Sequence, residues 1–151
     1  MKKQLTITIF LLGLAINMLA QSCLPDGMHF YRQDQIDNFT TNFPNCTEIE
    51  GDVTISELGN YVITNLDGLG VLTAVGGDLT ISYLESLTSL HGLHNITSVG
   101  GKLDISGTSL VDMQGLSSLE YIGGSAWLYG GIQSFAGLES LTEINHSLHL
   151  L

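Results

Sequence analysis

One apolar pattern recurs five times along the chain, and it constrains the fold more than any other feature of the sequence. In each copy a second apolar residue lies four positions after the first, and a third lies two positions later. The three columns are Ile49, Val75, Val99, Ile122 and Ile144; Val53, Leu79, Leu103, Ala126 and Leu148; and Ile55, Ile81, Ile105, Leu128 and Leu150. Alternation with a period of two predicts a half-buried strand in each copy. Such internal repetition is typical of solenoids, in which each repeat forms one coil of a stack.

A second apolar block follows each predicted strand, with a spacing of three residues. Its copies are Ile63/Leu66/Leu69/Leu72, Leu87/Leu90/Leu93/Ile96, Leu110/Met113/Leu116/Leu119 and Ile132/Phe135/Leu138/Leu141. A glycine stands directly before the third member of every copy: Gly68, Gly92, Gly115 and Gly137. The spacing favours an extended or 3₁₀-like path, because each glycine would cost an α-helix about 1 kcal/mol. Glycines at fixed offsets also predict corners or close approach between coils.

The repeat length falls from 26 to 22 residues, and one loop accounts for the whole change. The step from the strand to the second block shortens from 8 to 6, 5 and 4 residues, whereas the other 18 residues stay constant. A constant apolar frame with one variable loop is expected where coils stack and one corner bulges outward. We therefore predict an all-β solenoid of about four and a half repeats over residues 49–151, with a variable-loop edge.

The N-terminus has the plan of a secretory signal peptide. Two lysines precede an apolar run over residues 5–20, which is too short and too interrupted to predict a membrane span. We predict that residues 1–22 form the signal peptide, with cleavage after Ala20 or after Ser22. The exported chain keeps Arg32 and Lys102 against 15 acidic residues, a net charge of −13. This charge excludes nucleic acid as a partner, because phosphate binding needs clustered basic side chains.

Residues 23–48 lie outside the repeat register, and we predict that they form an N-terminal cap. Export makes Cys23 and Cys46 a candidate disulfide rather than a metal-binding pair. The alternative is a lipid on Cys23, for which the preceding residues form a poor lipobox. Ile36 and Phe39 form the apolar face of a short amphipathic helix, which Phe43 extends and the following proline ends. Such a helix would cover one open end of the solenoid.

Two stretches of the sequence resemble the receptor L-domain-like family. The first is Cys46-Thr-Glu-Ile-Glu-Gly-Asp-Val-Thr-Ile55, and the second is the Leu-x-Gly-Leu-x-x-Leu-Thr-x-Val-Gly-Gly-Asp-Leu-Thr-Ile that ends at Ile81. The resemblance spans residues 23–151, and the Cys-bounded segment is similar to the start of secreted bacterial members. It implies a leucine-rich-repeat-like, right-handed β-helix that is secreted or displayed at the cell surface. It also implies a non-catalytic role in binding or adhesion.

Strand alternation predicts which side chains form the solvent face of the sheet. Two rows follow from the register: Thr54, Thr80, Asp104, Trp127 and His149, and then Ser56, Ser82, Ser106 and Tyr129. Most of these side chains are small and hydroxylic, and the paired aromatics interrupt the pattern. Exposed aromatic pairs are typical of surfaces that recognise sugar rings or peptide side chains. The alternative is that Trp127 and Tyr129 cover a weaker rung, where Ala126 replaces a larger apolar residue.

Two groups of residues are weak candidates for metal binding. Glu48, Glu50 and Asp52 alternate, so we expect their carboxylates on one face of a strand, where they could hold Ca²⁺. The pairs His91-x-x-His94 and His146-x-x-His149 are spaced as zinc ligands can be, at variable surface positions. No dedicated calcium-loop spacing is present, and we expect neither a metal nor another cofactor.

We also expect no catalytic activity. The sequence contains neither a Gly-x-Ser-x-Gly nucleophile elbow nor a phosphate-binding loop. Asp104 is the central carboxylate of the predicted face, and Lys102 is its one basic neighbour. Asn-x-Ser/Thr sites, which are glycosylation candidates in a eukaryotic secreted protein, begin at Asn38, Asn45, Asn95 and Asn145.

These features predict an extracellular or cell-surface binding module that recognises a protein or a glycan through the exposed sheet and the variable-loop edge. One alternative is a structural spacer within a larger exported protein, and another is the N-terminal fragment of a secreted multidomain enzyme. The last repeat stops within a strand at residues 147–151, without a polar capping repeat. We therefore expect either a chain truncated at its C-terminus or end-to-end association of two copies through the uncapped rung.

Overall fold

A computed structural model describes residues 21–150 of the chain. The described part consists mainly of short strands, which join two parallel sheets. The strands are β1 (Ser22–Cys23), β2 (Met28–Phe30), β3 (Glu48–Ile49), β4 (Val53–Ser56), β5 (Ala74–Val75), β6 (Leu79–Leu84), β7 (Ser98–Val99), β8 (Leu103–Thr108), β9 (Tyr121–Ile122), β10 (Ala126–Leu128), β11 (Glu143–Ile144) and β12 (Leu148–Leu150). The helices are α1 (Gln33–Asp37) and α2 (Phe39–Asn42), and 3₁₀ turns lie at Asp67–Leu69, His91–Leu93 and Gln114–Leu116.

Successive coils add one strand to each of the two sheets. Sheet A has the strand order β1-β3-β5-β7-β9-β11, and sheet B has the order β2-β4-β6-β8-β10-β12. All neighbouring strands are parallel, and the register repeats from coil to coil: Ile55 pairs with Ile81, which pairs with Ile105. The apolar columns therefore stack inside the molecule, as the repeat predicts for an all-β, solenoid-like fold.

The structure divides each predicted strand into two strands that belong to different sheets. Ile49 ends β3 in sheet A, whereas Val53 begins β4 in sheet B. The chain turns between them at Gly51, where an added Cβ would meet the backbone of Pro25 and Gly27 in the preceding coil. The apolar spacing alone did not predict this corner as a change of sheet, because both strands present apolar residues to the same core.

The structure also corrects the expectation that residues 23–48 stand outside the repeat register. Strand β1 pairs with β3, and β2 pairs with β4, so this segment contributes an additional coil at the N-terminal end. Phe30 occupies the column of Ile55 and is fully buried. The repeat was not visible in the sequence here, because the two strands together contain only five residues.

Helices α1 and α2 pack beside the first 3₁₀ turn. The sequence predicts a single helix, whereas the structure has two short helices that meet at Asn38. Ile36 and Phe39 are fully buried as predicted, and the ring of Phe39 contacts that of Phe30 edge to face, with 5.8 Å between ring centroids. The predicted disulfide between Cys23 and Cys46 is confirmed, and it ties β1 to the segment that follows α2.

Polar side chains connect neighbouring coils outside the core. The hydroxyl group of Thr73 donates to the carbonyl oxygen of Thr47 at 3.0 Å, and that of Thr97 donates to the carbonyl oxygen of Thr73 at 3.1 Å. The side-chain amide of Asn95 donates to the carbonyl oxygen of Gly70 at 2.7 Å. Each bond links equivalent or nearby positions of successive coils, so these bonds support the same register as the strands.

The last described coil packs against a neighbour on one side only. Leu148 and Leu150, which continue buried columns, are exposed, and so is Phe135. An apolar cavity of about 280 Å³ opens there, lined by Leu103, Ile122, Ala126, Leu128, Phe135, Leu138, Leu141, Ile144, Leu148 and Leu150. Its lining carries no group suited to catalysis.

Nearly all of the predicted signal peptide lies outside the described residues. Of residues 1–22, the structure describes only Gln21 and Ser22. Within residues 21–150, no helix has the length and the apolar composition that crossing a membrane requires.

Gly92 provides a test of how closely the coils stack. An added Cβ at Gly92 would meet the backbone of Leu66 and Asp67, whereas one at Gly131 would meet nothing within 4 Å. We expect Gly92→Ala to lower the free energy of unfolding by at least about 2 kcal/mol, since overpacking against backbone has no simple relief. Gly131→Ala should change it by less than about 0.5 kcal/mol. Urea denaturation of both variants measures the difference, and equal stabilities would contradict the close approach.

The disulfide provides a second test, because it closes a loop with a sequence separation of 23 residues. Replacing Cys23 and Cys46 by serine should lower the free energy of unfolding by about 3 kcal/mol. Reducing the parent protein should lower its stability by a similar amount, and the same reductant should leave the double variant unchanged. Urea unfolding with and without reductant gives all of these values, and a stability unaffected by reduction would argue against the bond.

Candidate functional site

The exposed face of sheet B carries one outward residue per strand in a continuous row. The register places Thr54, Thr80, Asp104 and Trp127 next to one another on adjacent strands, as the sequence predicts, with His149 at one end. The structure adds His29, which pairs with Thr54 at the other end of the row. At about 4.8 Å per strand, the four steps from His29 to Trp127 span about 19 Å.

A second row lies beside the first and is also mainly hydroxylic. Ser56 pairs with Ser82, and Ser82 pairs with Ser106. Tyr129 continues this row, because its backbone N–H donates to the carbonyl oxygen of Ile105 at 2.8 Å, which extends the pairing of β10 with β8. Ser56 and Ser106 are half-buried, whereas Ser82, which the sequence predicts to face solvent, is buried at 8% exposure between them. The two rows together form a surface of small polar side chains with larger groups at its ends.

The larger groups at the C-terminal end form a cluster around Trp127, the single tryptophan of the chain. The Trp127 ring lies edge-on to that of Tyr129 at 5.8 Å between centroids, and tilted against that of His149 at 4.8 Å. The ammonium group of Lys102 lies 5.8 Å from the Trp127 ring centroid, within the range of a cation–π contact. We call Lys102, Trp127, Tyr129 and His149 the Trp127 cluster.

Asp104 lies next to this cluster and has unused hydrogen-bonding capacity. Its Oδ2 accepts from the ammonium group of Lys102 at 3.1 Å. Its Oδ1 is shielded from solvent and has no hydrogen-bond partner within the chain. A buried acceptor without a partner costs about 1–3 kcal/mol.

A second aromatic cluster lies at the N-terminal end of the face, and sequence reasoning missed it. The ring of His29 is 5.7 Å from that of Tyr31, and the ring of Tyr31 is 6.3 Å from that of Tyr61. The guanidinium carbon of Arg32 lies 5.4 Å from the Tyr31 centroid and 5.6 Å from the Tyr61 centroid. His29, Tyr31, Arg32 and Tyr61 are called the Tyr61 cluster below.

Part of the Tyr61 cluster had a signal in the sequence. His29-Phe30-Tyr31 has the same outward-inward-outward pattern as Trp127-Leu128-Tyr129, with aromatic or imidazole rings at both outward positions. Tyr61 had no such signal, since it lies in the longest variable loop and reaches Tyr31 only through the fold.

The predicted calcium candidates do not converge in the structure. Glu48 lies in β3, Glu50 follows it, and Asp52 lies past the corner into sheet B, so the three carboxylates do not share one strand face. The Oδ1 atom of Asp52 instead accepts a hydrogen bond from the backbone N–H of Asp78 at 2.8 Å. Within residues 21–150, no three His, Cys, Asp or Glu side chains are grouped so that they could hold a metal ion.

The histidine pairs are engaged with their neighbours. The rings of His91 and His94 stack at 4.9 Å between centroids, and Nδ1 of His91 lies 3.4 Å from a carboxylate oxygen of Asp67. Nε2 of His149 lies 2.7 Å from the hydroxyl oxygen of Ser147. His91 and His94 lie at surface positions that the repeat leaves variable, whereas His149 lies in the regular outward row of sheet B.

Three of the four candidate glycosylation asparagines use their side-chain amides within the chain. Asn38 donates to the carbonyl oxygen of Asp34, and Asn95 donates to a backbone carbonyl of the preceding coil. Asn145 donates to the hydroxyl oxygen of Tyr121 at 2.8 Å. Asn45 is exposed on the surface next to the disulfide.

The family model named Receptor L domain matches residues 45–145, about two thirds of the sequence. The chain therefore belongs to the Receptor L domain family, a family of binding domains rather than enzymes, as its repeats predict. Membership also indicates that the chain is a ligand-binding module of a receptor-like protein. Neither a curated protein nor a solved structure matches the chain.

The stability of a Trp127 variant distinguishes two interpretations of this residue, an exposed recognition residue and a residue that packs on the core. Trp127 is 36% exposed, whereas its neighbour Leu128 is buried at 3%. If Trp127 is a surface residue held by a cation–π contact, Trp127→Ala should lower the free energy of unfolding by only about 1 kcal/mol. Leu128→Ala should lower it by about 2–5 kcal/mol, as expected for a core leucine. Urea denaturation compares them, and equal losses would support the packing interpretation.

Proposed function

We propose that this chain is a non-catalytic extracellular module that binds a protein ligand through the exposed face of sheet B. The observation that carries the proposal is the Trp127 cluster, which places an exposed tryptophan at one end of a continuous floor of small polar side chains. Membership of the Receptor L domain family supports a binding role. The ion pair between Lys102 and Asp104 beside the cluster adds charged groups to the same face and so supports it as the contact surface.

The chemistry of this face suits a protein ligand. Tryptophan, tyrosine and charged groups at the centre of a contact supply most of the binding energy in many interfaces, while small polar neighbours exclude water around them. Thr54, Thr80 and Ser106 are partly exposed and provide hydroxyl groups that both donate and accept hydrogen bonds. A glycan bound by stacking on Trp127 is the second candidate, because one aromatic ring beside hydroxyl groups also fits a sugar.

We also propose that the chain acts outside the cell and that its signal peptide is cleaved after Ala20. The disulfide and the family support a site of action outside the cell. Ser22 pairs with Glu48 in sheet A, and the carbonyl oxygen of Gln21 accepts from the backbone N–H groups of Thr47 and Glu48. Cleavage of the signal peptide after Ala20 would keep these bonds, so we favour it over cleavage after Ser22.

We further infer that α1 and α2 cap the N-terminal end of the core. Ile36 and Phe39 support this role, because both are fully buried beside Phe30 of the first coil. The right-handed sense of the coil is proposed on the general preference of parallel crossover connections.

The proposed function is tested with the secreted protein, labelled and applied to the cells that produce it. We expect saturable binding that Trp127→Ala and Tyr129→Ala together weaken about tenfold or more, as for a central aromatic contact. Val71→Ala is the control, since Val71 is exposed but lies after the 3₁₀ turn Asp67–Leu69, away from the face. Circular dichroism and urea unfolding confirm that all variants are folded.

Pretreatment of the cells distinguishes the two ligand classes. Protease treatment should abolish the saturable binding if the ligand is a protein, whereas periodate oxidation of sugars should leave it intact. The opposite pattern would replace the protein ligand by a glycan. Binding that is equally strong for the double variant and the parent would contradict the proposed face and favour a structural spacer.

A further inference from the structure

We propose that the variable-loop edge docks a basic, apolar-rich segment of the protein partner. The edge comprises residues 57–62, 83–86 and 108–112, at and beyond the ends of β4, β6 and β8 in three successive coils. In the third coil it includes the first residues of the second apolar block. The inference rests on the proposed function, because it names the chemistry of the partner and a second surface that it contacts. It concerns a region beside the face of sheet B and does not require Trp127.

The variable-loop edge exposes several large apolar side chains to solvent. Five large apolar or aromatic side chains are exposed there: Leu58, Tyr61, Val62, Tyr83 and Val111. Tyr83 is 76% exposed and Leu58 is 59% exposed. Single exposed apolar side chains are ordinary, whereas their concentration at one edge marks an interaction site.

The backbone at Tyr83 directs this side chain away from the sheet. Tyr83 has a φ of +56°, in the left-handed region that residues other than glycine rarely adopt. Gly107 of the next coil has a φ of +60°, and an added Cβ there would lie 3.2 Å from the backbone nitrogen of Tyr83. The glycine therefore leaves room for the turn that displays the tyrosine.

The charge of the edge selects a cationic partner. Glu57, Glu85 and Asp112 lie among the apolar residues, and no lysine or arginine occurs between Arg32 and Lys102. An edge that has three carboxylates and apolar groups and, apart from Arg32 beside Tyr61, no base of its own attracts a segment with both lysine or arginine and apolar side chains. It disfavours a second copy of the chain, because each exported copy carries a net charge of −13.

The chain itself shows that one end of this edge accommodates a cation. The guanidinium group of Arg32 lies near the rings of Tyr31 and Tyr61, with centroid distances of 5.4 and 5.6 Å, and its Nε is 3.2 Å from a carboxylate oxygen of Asp34. Two rings and one carboxylate thus surround one positive charge. In the next coil, Tyr83 and Glu85 present an aromatic ring and a carboxylate without such an internal cation among the described residues.

The test titrates the secreted protein with three synthetic peptides of equal length by isothermal calorimetry. In the first peptide lysine alternates with leucine, in the second glutamate replaces lysine, and in the third glycine replaces leucine. We expect measurable binding of the first peptide only, with the affinity falling at about 0.5 M salt because exposed charges are screened. Equal binding of the second or third peptide would overturn the proposal.

Variants locate the binding on the chain. Leu58→Ser combined with Tyr83→Asn should weaken binding about tenfold, since asparagine tolerates a positive φ and both apolar contacts are lost. Glu85→Gln removes one charge without changing size and should weaken binding about threefold at low salt. Val71→Ser is the matched control for an exposed apolar residue off the edge.

Trp127→Ala separates this inference from the proposed function. The variant should bind the lysine–leucine peptide as the parent does, because Trp127 lies on the face and not on the edge. Loss of peptide binding in Trp127→Ala, or full binding by the Leu58/Tyr83 variant, would overturn the edge as the docking surface. If no peptide binds while cell binding still depends on Trp127, the edge inference fails and the proposed function stands.

Discussion

Parallel stacking of coils at strand spacing, about 4.8 Å, is the constraint on which the rest of this structure depends. At this distance, a side chain does not fit at those points outside the strands where the backbone of one coil lies directly against the backbone of the preceding coil. Gly68, Gly92 and Gly115 occupy these places, and an added Cβ at each would meet backbone of the preceding coil. The same spacing aligns equivalent residues of successive coils, so apolar positions become continuous buried columns. The disulfide and the threonine bonds support a register that backbone pairing has already set.

The arrangement of the outward side chains follows from the same spacing of the coils. A register that repeats in every coil turns one outward residue per strand into a row about 4.8 Å apart, and thus into a continuous face. Most of that face is hydroxylic, and it changes in character at the Trp127 cluster at one end and the Tyr61 cluster at the other, which is why the proposed function rests on these places. Arg32 and Lys102 each pack beside an aromatic ring in one of these clusters. The chain has 15 acidic residues against four basic ones, so basic groups are rare outside these clusters.

Sequence reasoning succeeded where the repeat is regular. The buried columns through Ile55, the 3₁₀ turn in three of the four copies of the second block and the disulfide follow from spacing and composition. The fourth copy forms no 3₁₀ turn, and its Phe135 is exposed. Sequence reasoning failed where one local pattern is compatible with more than one three-dimensional arrangement. Glu48, Glu50 and Asp52 alternate as on one strand, but only Glu48 lies in a strand, and the corner at Gly51 separates Asp52 from the other two. The coil formed by β1 and β2 escaped notice because its strands are too short to show a period.

The sequence by itself determined the class of fold, the core and the rows of outward residues, because each depends on periodicity within one repeat. Only the tertiary structure decided which distant residues meet. Tyr61 reaches Tyr31 and Arg32 through the path of a variable loop, and loop paths have no period from which they could be read. The division of each coil between two sheets was also a tertiary outcome, since strands that bury apolar residues in one core look alike in sequence whichever sheet they join.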